Sequence, residues 1–378
     1  MKRRKLNRRR GNVLVMTAFL MTVLLGLLAF AIDLGYAYSC RTELQRSADA
    51  AAVAAAWELI DRDGQAGTQT TTGVTTTATS KAAQFAALNN VGNSAPGLAG
   101  DDVVVGYMAN PSSPGEELVA TPIGKLPNAV QVRVQRTTAQ NGQVNFFFAK
   151  AIGVDQVALD AKATAAFIST FSGFRAPADG SNLSILPFAL DEETWNALPS
   201  AGEDIWTYNP NSKTVSIGAD GVKEVNLYPQ GTGCPGNRGT VDIGSSNNST
   251  ADIARQIVSG ISASDLAYLG GSIQFDATGV LHLNGDTGIS AGVKDELASI
   301  IGKPRLIPIF RSVVGPGNNA DYTIVKFVGV RILEVDLTGS ISSKRVIIQP
   351  CNVIAKGGIY RQDAATTEYV YSPVWIVR

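Results

Sequence analysis

The feature that most constrains this chain is an uncharged stretch near its N-terminus. Residues 13–32, VLVMTAFLMTVLLGLLAFAI, contain no Asp, Glu, Lys or Arg. A helix of twenty residues spans about 30 Å, the hydrocarbon thickness of a bilayer. Seven of the first ten residues are Lys or Arg, and such basic flanks stay in the cytoplasm. The sequence therefore predicts a single transmembrane helix from Val13 to Ile32 in the cytoplasmic (inner) membrane, followed by a periplasmic or extracellular bulk.

The segment after this stretch is predicted to continue as a helix with one face of small side chains. Leu34 to Ile60 contains no Pro and a single Gly, Gly35, and it is rich in Ala, the best helix former. Apolar residues recur at spacings of three and four, namely at Leu44, Ala48, Ala51, Ala52, Ala55 and Leu59. A row of small residues four apart permits close helix contact. The face could pack on the protein's own domain or on partner helices.

Four short motifs occur in order within these residues. They are Arg10-Gly11, Asp33-Leu34-Gly35, Leu44-Gln45 and Ala48-Asp49-Ala50-Ala51. In this order they resemble the N-terminal Tad-like segment of TadE/TadG-type Flp pilus-assembly proteins. The resemblance covers about fifty residues and implies a single-pass envelope protein of the tight-adherence pilus machinery. It also implies that the partners are the membrane and other pilus-assembly or pilin-like proteins.

Two kinds of proteolytic processing remain open. Ala29-Phe30-Ala31 fits the cleavage site of a secretory signal, although the apolar region of a signal is usually about 7–15 residues and this one is longer. Cleavage after Gly11 would resemble prepilin processing, but Met16 stands where pilins usually carry a Glu. Retention as a signal-anchor is the favoured interpretation.

Composition divides the chain into four parts and predicts an α+β fold. Residues 1–64 are the anchor and the Ala-rich helix, and residues 65–80, QAGTQTTTGVTTTATS, are a Thr-rich linker or an irregular helix extension. Residues 81–171 combine a short helix with period-two strands, which predicts a small antiparallel sheet backed by helix. After a boundary rich in Gly, Pro and Ser, residues 183–378 predict a mixed α/β domain.

One apolar run within the α+β module is predicted as a short buried helix. It is Asn145 to Ile152, NFFFAKAI, and Gly153 follows it as a helix stop.

The stretch most like a binding site is GNRGTVDIGSSNNST, residues 236–250. Its segment 242–246 approaches the D-x-S-x-S loop of von Willebrand A domains, in which an Asp and two hydroxyls hold a divalent cation. Asp242, Ser245 and Ser246 would be the ligands here, but Gly244 stands in place of the first Ser. The favoured interpretation is a polar loop that leads into a capped helix N-terminus.

Residues for catalysis or zinc binding are scarce. The single histidine, His282, and the three cysteines form no CxxC or Cys/His cluster, and no nucleophile with its base emerges. Cys234 and Cys351 could form a disulfide in an oxidising compartment. Outside the N-terminal cluster the formal net charge is about −7, which does not indicate a nucleic-acid surface. No enzymatic activity, cofactor, nucleic acid or small-molecule substrate is therefore predicted.

Two functional hypotheses follow. The first is an anchored protein that takes part in Flp/Tad-type pilus assembly or tight adherence through helix and domain contacts. Its important positions would be Asp33 and Gly35 at the membrane exit and, as the packing face, Ala48, Ala51, Ala52 and Ala55. The alternative is an exported ligand-binding or adhesin module with a degenerate cation-binding loop at Asp242–Ser246.

Overall fold

The computed structural model describes residues 12–60, 71–228, 238–244, 249–286, 291–315, 319–362 and 366–377. Its helices and sheets confirm the α+β class. The chain forms two compact units that interleave along the sequence. The first comprises residues up to Ala55 with Thr79–Val104 and Val130–Thr164, and the second comprises Ala56–Ala78, Val105–Ala129 and Ala165–Arg378. The domain boundaries predicted at residues 65, 81 and 183 come from composition. Composition cannot show that segments far apart in the sequence belong to one compact unit.

Helix α1 runs without interruption from Asn12 to Glu58. Absence of Pro and abundance of Ala explain this length. By length and composition it is the one helix among the described residues that could cross a membrane. The side chains of its apolar part, Val13 to Ile32, are almost all exposed. From Asp33 onward one side of the helix becomes buried, at Asp33, Cys40, Leu44, Ser47, Ala48, Ala51, Ala52 and Ala55.

Helix α2 spans Thr71–Leu88 and includes much of the Thr-rich segment. The hydroxyls of Thr76 and Thr77 donate to backbone carbonyls four residues earlier, at 2.9 and 3.1 Å. Threonine can therefore satisfy its hydroxyl inside a helix. Of the two predicted alternatives, residues 71–80 are helical and do not form a linker, whereas residues 65–70 lie outside the described residues.

The first unit contains a sheet in which strand β2 lies between β1 and β5. The bounds are Val103–Gly106 for β1, Ala129–Arg136 for β2 and Leu159–Ala166 for β5. Buried and half-buried residues alternate in β2 from Val130 to Gln135, as the period-two pattern predicts.

A separate hairpin in the first unit takes the place of the buried helix predicted at 145–152. Strands β3 (Val144–Asn145) and β4 (Gln156–Val157) pair antiparallel. Between them Ala149–Ile152 forms a single 3₁₀ turn, which ends at Gly153 in the left-handed conformation with φ +86°. The glycine stop is confirmed but the burial is wrong, because the apolar run lies at a hairpin tip and Phe147 is 62% exposed.

The second unit is built on an eight-stranded sheet in the order β10-β16-β15-β13-β11-β7-β14, in which β14 also pairs antiparallel with β15 and β19 also pairs with β15. Their bounds are β7 Phe188–Asp191, β10 Val225–Asn226, β11 Arg238–Val241, β13 Leu281–Asp286, β14 Pro304–Val314, β15 Ala320–Asp336, β16 Arg345–Pro350 and β19 Thr367–Glu368. Alternate residues of β7 enter two hydrophobic clusters, Ala189 in one and Phe188 and Leu190 in the other. The sheet is therefore covered on both faces, which explains its continuous apolar strands.

The second unit also contains shorter strands and four α-helices among its described residues. The strands are β6 Phe171–Arg175, β8 Trp206–Asn209, β9 Thr214–Ile217, β12 Ser272–Gln274, β17 Val353–Ile354, β18 Gly358–Tyr360, β20 Val370–Tyr371 and β21 Trp375–Val377. The helices are α3 Glu192–Ala201, α4 Thr250–Ser259, α5 Ala263–Ala267 and α6 Lys294–Ala298. Ser249 caps α4 by accepting the Asp252 backbone N–H at 3.1 Å, as predicted for a polar loop that leads into a helix.

Candidate functional site

The most distinctive polar contact of the first unit involves the carboxylate of Asp33. Asp33 follows the last residue of the apolar stretch of α1 and is only 2% exposed. Its carboxylate accepts the backbone N–H groups of Phe147 at 2.7 Å, Phe148 at 2.9 Å and Ala149 at 2.6 Å. The first N–H groups of a helical turn lack partners within the turn and favour a negative charge. Asp33 therefore caps the 3₁₀ turn at the hairpin tip.

The charge of Asp33 is set by two opposing influences. Its burial would raise the pKa, but the three backbone hydrogen bonds and the nearby Lys150 ammonium outweigh burial and hold the pKa below its ordinary value. Asp33 is therefore ionised at neutral pH. An ionised carboxylate is the form that can accept all three N–H groups at once.

Aromatic packing adds to this attachment one turn further along α1. The rings of Tyr36 and Phe147 meet edge to face, with centroids 5.2 Å apart and planes inclined by 60°. Such a pair contributes about 0.5–1.5 kcal/mol beyond the area it buries. The hairpin tip is thus held on α1 by both polar and aromatic contacts.

The next turns of α1 contact the segment after helix α2. The Glu43 carboxylate accepts the backbone N–H of Gly92 at 2.7 Å. Gly92 has φ +56°, and a Cβ on it would lie 3.1 Å from the Tyr36 hydroxyl oxygen. A glycine suits this position because it tolerates both the left-handed backbone and the close approach of α1.

The small-residue face of α1 is buried within the chain. Ala48, Ala51, Ala52 and Ala55 have no exposed surface. At the same level the Ser47 hydroxyl donates to the carbonyl of Ala86 on helix α2 at 3.2 Å. Of the two predicted alternatives, the structure thus favours packing on the protein's own fold.

Gly35, predicted to be important at the membrane exit, differs from the alanines of the packing face. It is exposed, and a Cβ placed on it would meet no other atom within 4 Å. In this chain Gly35 therefore does not contribute to packing.

The predicted cation loop is only partly described, because Ser245 and Ser246 lie outside the described residues. The backbone N–H of Asp242 donates to the carbonyl of Asn284 at 2.7 Å. Gly244 has φ +105°, and a Cβ there would lie 2.4 Å from the Cβ of Asp265. The position that should supply the first hydroxyl therefore has neither a side chain nor space for one.

The other predicted candidates are not brought together into a site. No group of three or more His, Cys, Asp and Glu residues that could hold a metal occurs in the part of the chain that the structure describes. His282 is exposed, and its Nδ1 lies 3.0 Å from the Asp321 carboxylate. Cys351 is buried, whereas Cys234 lies outside the described residues, so their disulfide stays a prediction.

A cleft of about 1300 Å³ in the second unit has no counterpart in the sequence analysis. Two ion pairs lie within it, since Arg311 donates to Glu192 at 2.8 Å and Arg345 donates to Glu334 at 2.6 Å. A third carboxylate, that of Glu224, accepts two backbone N–H groups, and burial raises its pKa. These contacts account for the carboxylates of Glu192, Glu224 and Glu334 without a ligand.

Sequence reasoning identified Asp33 but missed the backbone groups that it binds. The partners lie 114 to 116 residues away and are main-chain N–H groups, which leave no signature in side-chain identity. The three consecutive aromatic residues before Ala149 were the available signal, and they were attributed to a buried helix.

Two known families match the N-terminal part of this chain. Residues 11–58 match the Flp pilus-assembly TadE/G-like family, and residues 43–165 match the Tad-like Flp pilus-assembly family. The second match includes α2, the sheet strands and the hairpin bound by Asp33. The resemblance noted in the sequence is thereby confirmed. No curated protein and no solved structure matches the chain.

Proposed function

We propose that the chain is a single-pass envelope protein of the Flp pilus-assembly machinery, because its residues 11–58 and 43–165 match two Tad-like families of that machinery. Its N-terminus lies in the cytoplasm, α1 crosses the inner membrane from Val13 to Ile32, and the folded bulk lies in the periplasm or beyond. It takes part in pilus assembly or tight adherence through helix and domain contacts, without chemistry of its own.

The observation that carries this proposal is the change of surroundings along α1. Up to Ile32 the helix exposes Val, Leu, Phe and Met side chains on all sides, which is stable only in an apolar solvent. From Asp33 the same unbroken helix buries one side within the first unit. A single rigid element thus joins a lipid-facing span to a folded unit.

The direction of insertion is supported by charge. The seven basic residues precede the span, and a basic flank of this kind is retained on the cytoplasmic side. The exposed apolar surface of the span is also available to other membrane helices, which is the route by which an assembly protein would contact pilin-like partners within the bilayer.

The test is made on membranes of cells that produce the native chain. Intact mass gives the mature N-terminus, and protease added outside the inner membrane of spheroplasts tests the orientation. We expect a chain that begins at or near Met1 and a bulk that is degraded. A cytoplasmic protein in the same spheroplasts is the control for membrane integrity.

Other results would contradict the proposal in different ways. A mature chain that begins after Ala31 would be an exported soluble protein. A chain that begins after Gly11 would be a pilin-like subunit able to enter a filament. A protected bulk with an intact N-terminus would mean the opposite orientation.

A further inference from the structure

We propose that the tip of the β3–β4 hairpin, residues 146–154, is a second membrane contact of this protein. This segment, called the interfacial loop below, would lie among the phospholipid headgroups of the leaflet from which α1 emerges. The inference rests on the membrane-spanning role proposed for α1. It adds a lipid-binding surface around Phe147, which lies 114 residues after Asp33 in the sequence.

The interfacial loop exposes an unusual amount of apolar surface for so short a segment. The exposed fractions are 62% for Phe147, 48% for Phe148, 78% for Ile152 and 46% for Val154. Single exposed apolar residues are ordinary, but a contiguous group marks a surface that something else covers. The 3₁₀ turn and its glycine end hold these residues at the hairpin tip.

The depth of the interfacial loop follows from its attachment to α1. Asp33 immediately follows the apolar span, and its carboxylate lies within 2.9 Å of the loop's backbone nitrogens. The loop backbone therefore begins at the level where α1 leaves the hydrocarbon. Tyr36 lies about 4.5 Å further out along the helix, and its ring packs on Phe147. The headgroup region is about 5–7 Å thick in each leaflet, so both rings lie within it.

The chemistry of the interfacial loop suits a phospholipid surface. Aromatic rings are enriched at the level of the headgroups. Lys150, in the same turn, is exposed, and a lysine can lay its apolar stem on such a surface while its ammonium reaches a phosphate. The bilayer that surrounds the span of α1 extends to the level of the interfacial loop. The same lipids would therefore cover the apolar surface of the span and that of the loop.

The experiment uses the full-length protein in vesicles of phosphatidylcholine and phosphatidylglycerol. An environment-sensitive fluorophore is attached at Ile152→Cys and, in a second variant, at Phe148→Cys. Lipids brominated near the glycerol end of their acyl chains serve as the quencher for the loop, and lipids brominated near the chain ends serve as the quencher for the span. The parent chain, labelled in the same way, gives the background from its three native cysteines.

Two further label positions on α1 bracket the result. Leu24→Cys lies within the span and reports whether α1 crosses the bilayer. Arg46→Cys is exposed on the same helix, and it lies about 20 Å beyond Asp33 at 1.5 Å per residue. Arg46 is therefore the matched control for a water-facing position.

We expect loss of emission at both loop positions and at Leu24, with no loss at Arg46. Quenching at Leu24 without quenching at either loop position would overturn the lipid contact while α1 remains an anchor, and a loop covered by protein would give that result. Absence of quenching at Leu24 would refute the anchoring itself, and the lipid contact with it.

Discussion

The Asp33 carboxylate oxygen and the Ala149 backbone nitrogen lie 2.6 Å apart, although 116 positions separate these residues in the sequence. This hydrogen bond fixes the hairpin tip to α1 at the residue where the apolar span ends. Because the donor is a backbone group at the start of a turn, it is already oriented toward the carboxylate. The contact thus sets the position of the loop relative to α1.

Replacement of Asp33 by Asn should release the hairpin tip while α1 stays intact. The amide keeps the shape of the carboxylate but is neutral, and one of its two polar atoms is a donor that faces other donors. We expect faster hydrogen exchange at the amides of Phe147, Phe148 and Ala149, measured by mass spectrometry on the full chain in detergent.

A matched control for this substitution is Asp49→Asn on the same helix. The Asp49 carboxylate accepts the amide of Gln45 one turn earlier, so its neutralisation should leave the hairpin amides protected. Equal exchange in the Asp33 variant and the parent chain would mean that the aromatic contact of Tyr36 alone holds the tip.

The attachment should also weaken in acid. The pKa of Asp33 is lowered in the fold, chiefly by hydrogen bonds that outweigh its burial. A carboxylate whose pKa is lowered by folding stabilises the fold at any pH above its pKa in the unfolded chain, which is about 3.9 for Asp. This contribution is lost as the pH falls through the pKa of the folded chain. Protection of the three amides should therefore be constant from neutral pH to about pH 4 and decline below it. If protection of these amides begins to decline near pH 6, a titrating group other than the Asp33 carboxylate controls the attachment.

The elements of the first unit could be predicted to different extents. The long apolar helix α1 and its small-residue face were predictable because helical periodicity and absence of charge are local properties. The β2 strand was predictable for the same reason. The hairpin at 144–157 was not, since an apolar run of five to eight residues fits a buried helix, a strand or a solvent-facing tip equally well. Only its tertiary contact with Asp33 distinguishes these cases.

In the second unit, too, local features were predictable from the sequence and tertiary contacts were not. Ser249 was predictable as a cap, because a hydroxyl before a helix leaves a local pattern. The resemblance of residues 242–246 to a cation loop was also local, but the close approach of Asp265 to Gly244 is not. Only the folded chain shows that this position lacks space for a side chain.

The Asp242 loop should accordingly show no saturable cation binding. Gly244 provides no hydroxyl, and Asp265 occupies the space that a serine would need. Calorimetric titration of the full chain in detergent with Mg²⁺ or Ca²⁺ should give only the heat of dilution, with the same trace for Asp242→Ala. Binding that disappears in the variant would instead support the adhesin hypothesis.

Replacement of Ala51 by Leu should destabilise the first unit. Ala51 has no exposed surface. Because a larger side chain in a packed site strains its neighbours, we expect the free energy of unfolding to fall by about 1–3 kcal/mol. Arg46→Leu is the control, because the side chain at that exposed position stays in solvent and should change the free energy of unfolding by about 0.5 kcal/mol or less. Denaturant unfolding in detergent measures both. Unchanged stability with loss of cross-linking to a partner would restore the hypothesis that this face binds another helix.

Replacement of Gly35 by Ala separates a structural role of this residue from a partner contact. Gly35 lies inside α1, and a Cβ there meets no atom within 4 Å. Alanine should therefore stabilise the helix by about 0.8–1.0 kcal/mol, since it loses less backbone entropy than glycine. We expect unchanged or raised thermal stability in detergent and unchanged pilus formation in cells. A variant that folds normally but fails to support pili would show that another chain approaches α1 closely at this point, two residues from Asp33, which holds the interfacial loop.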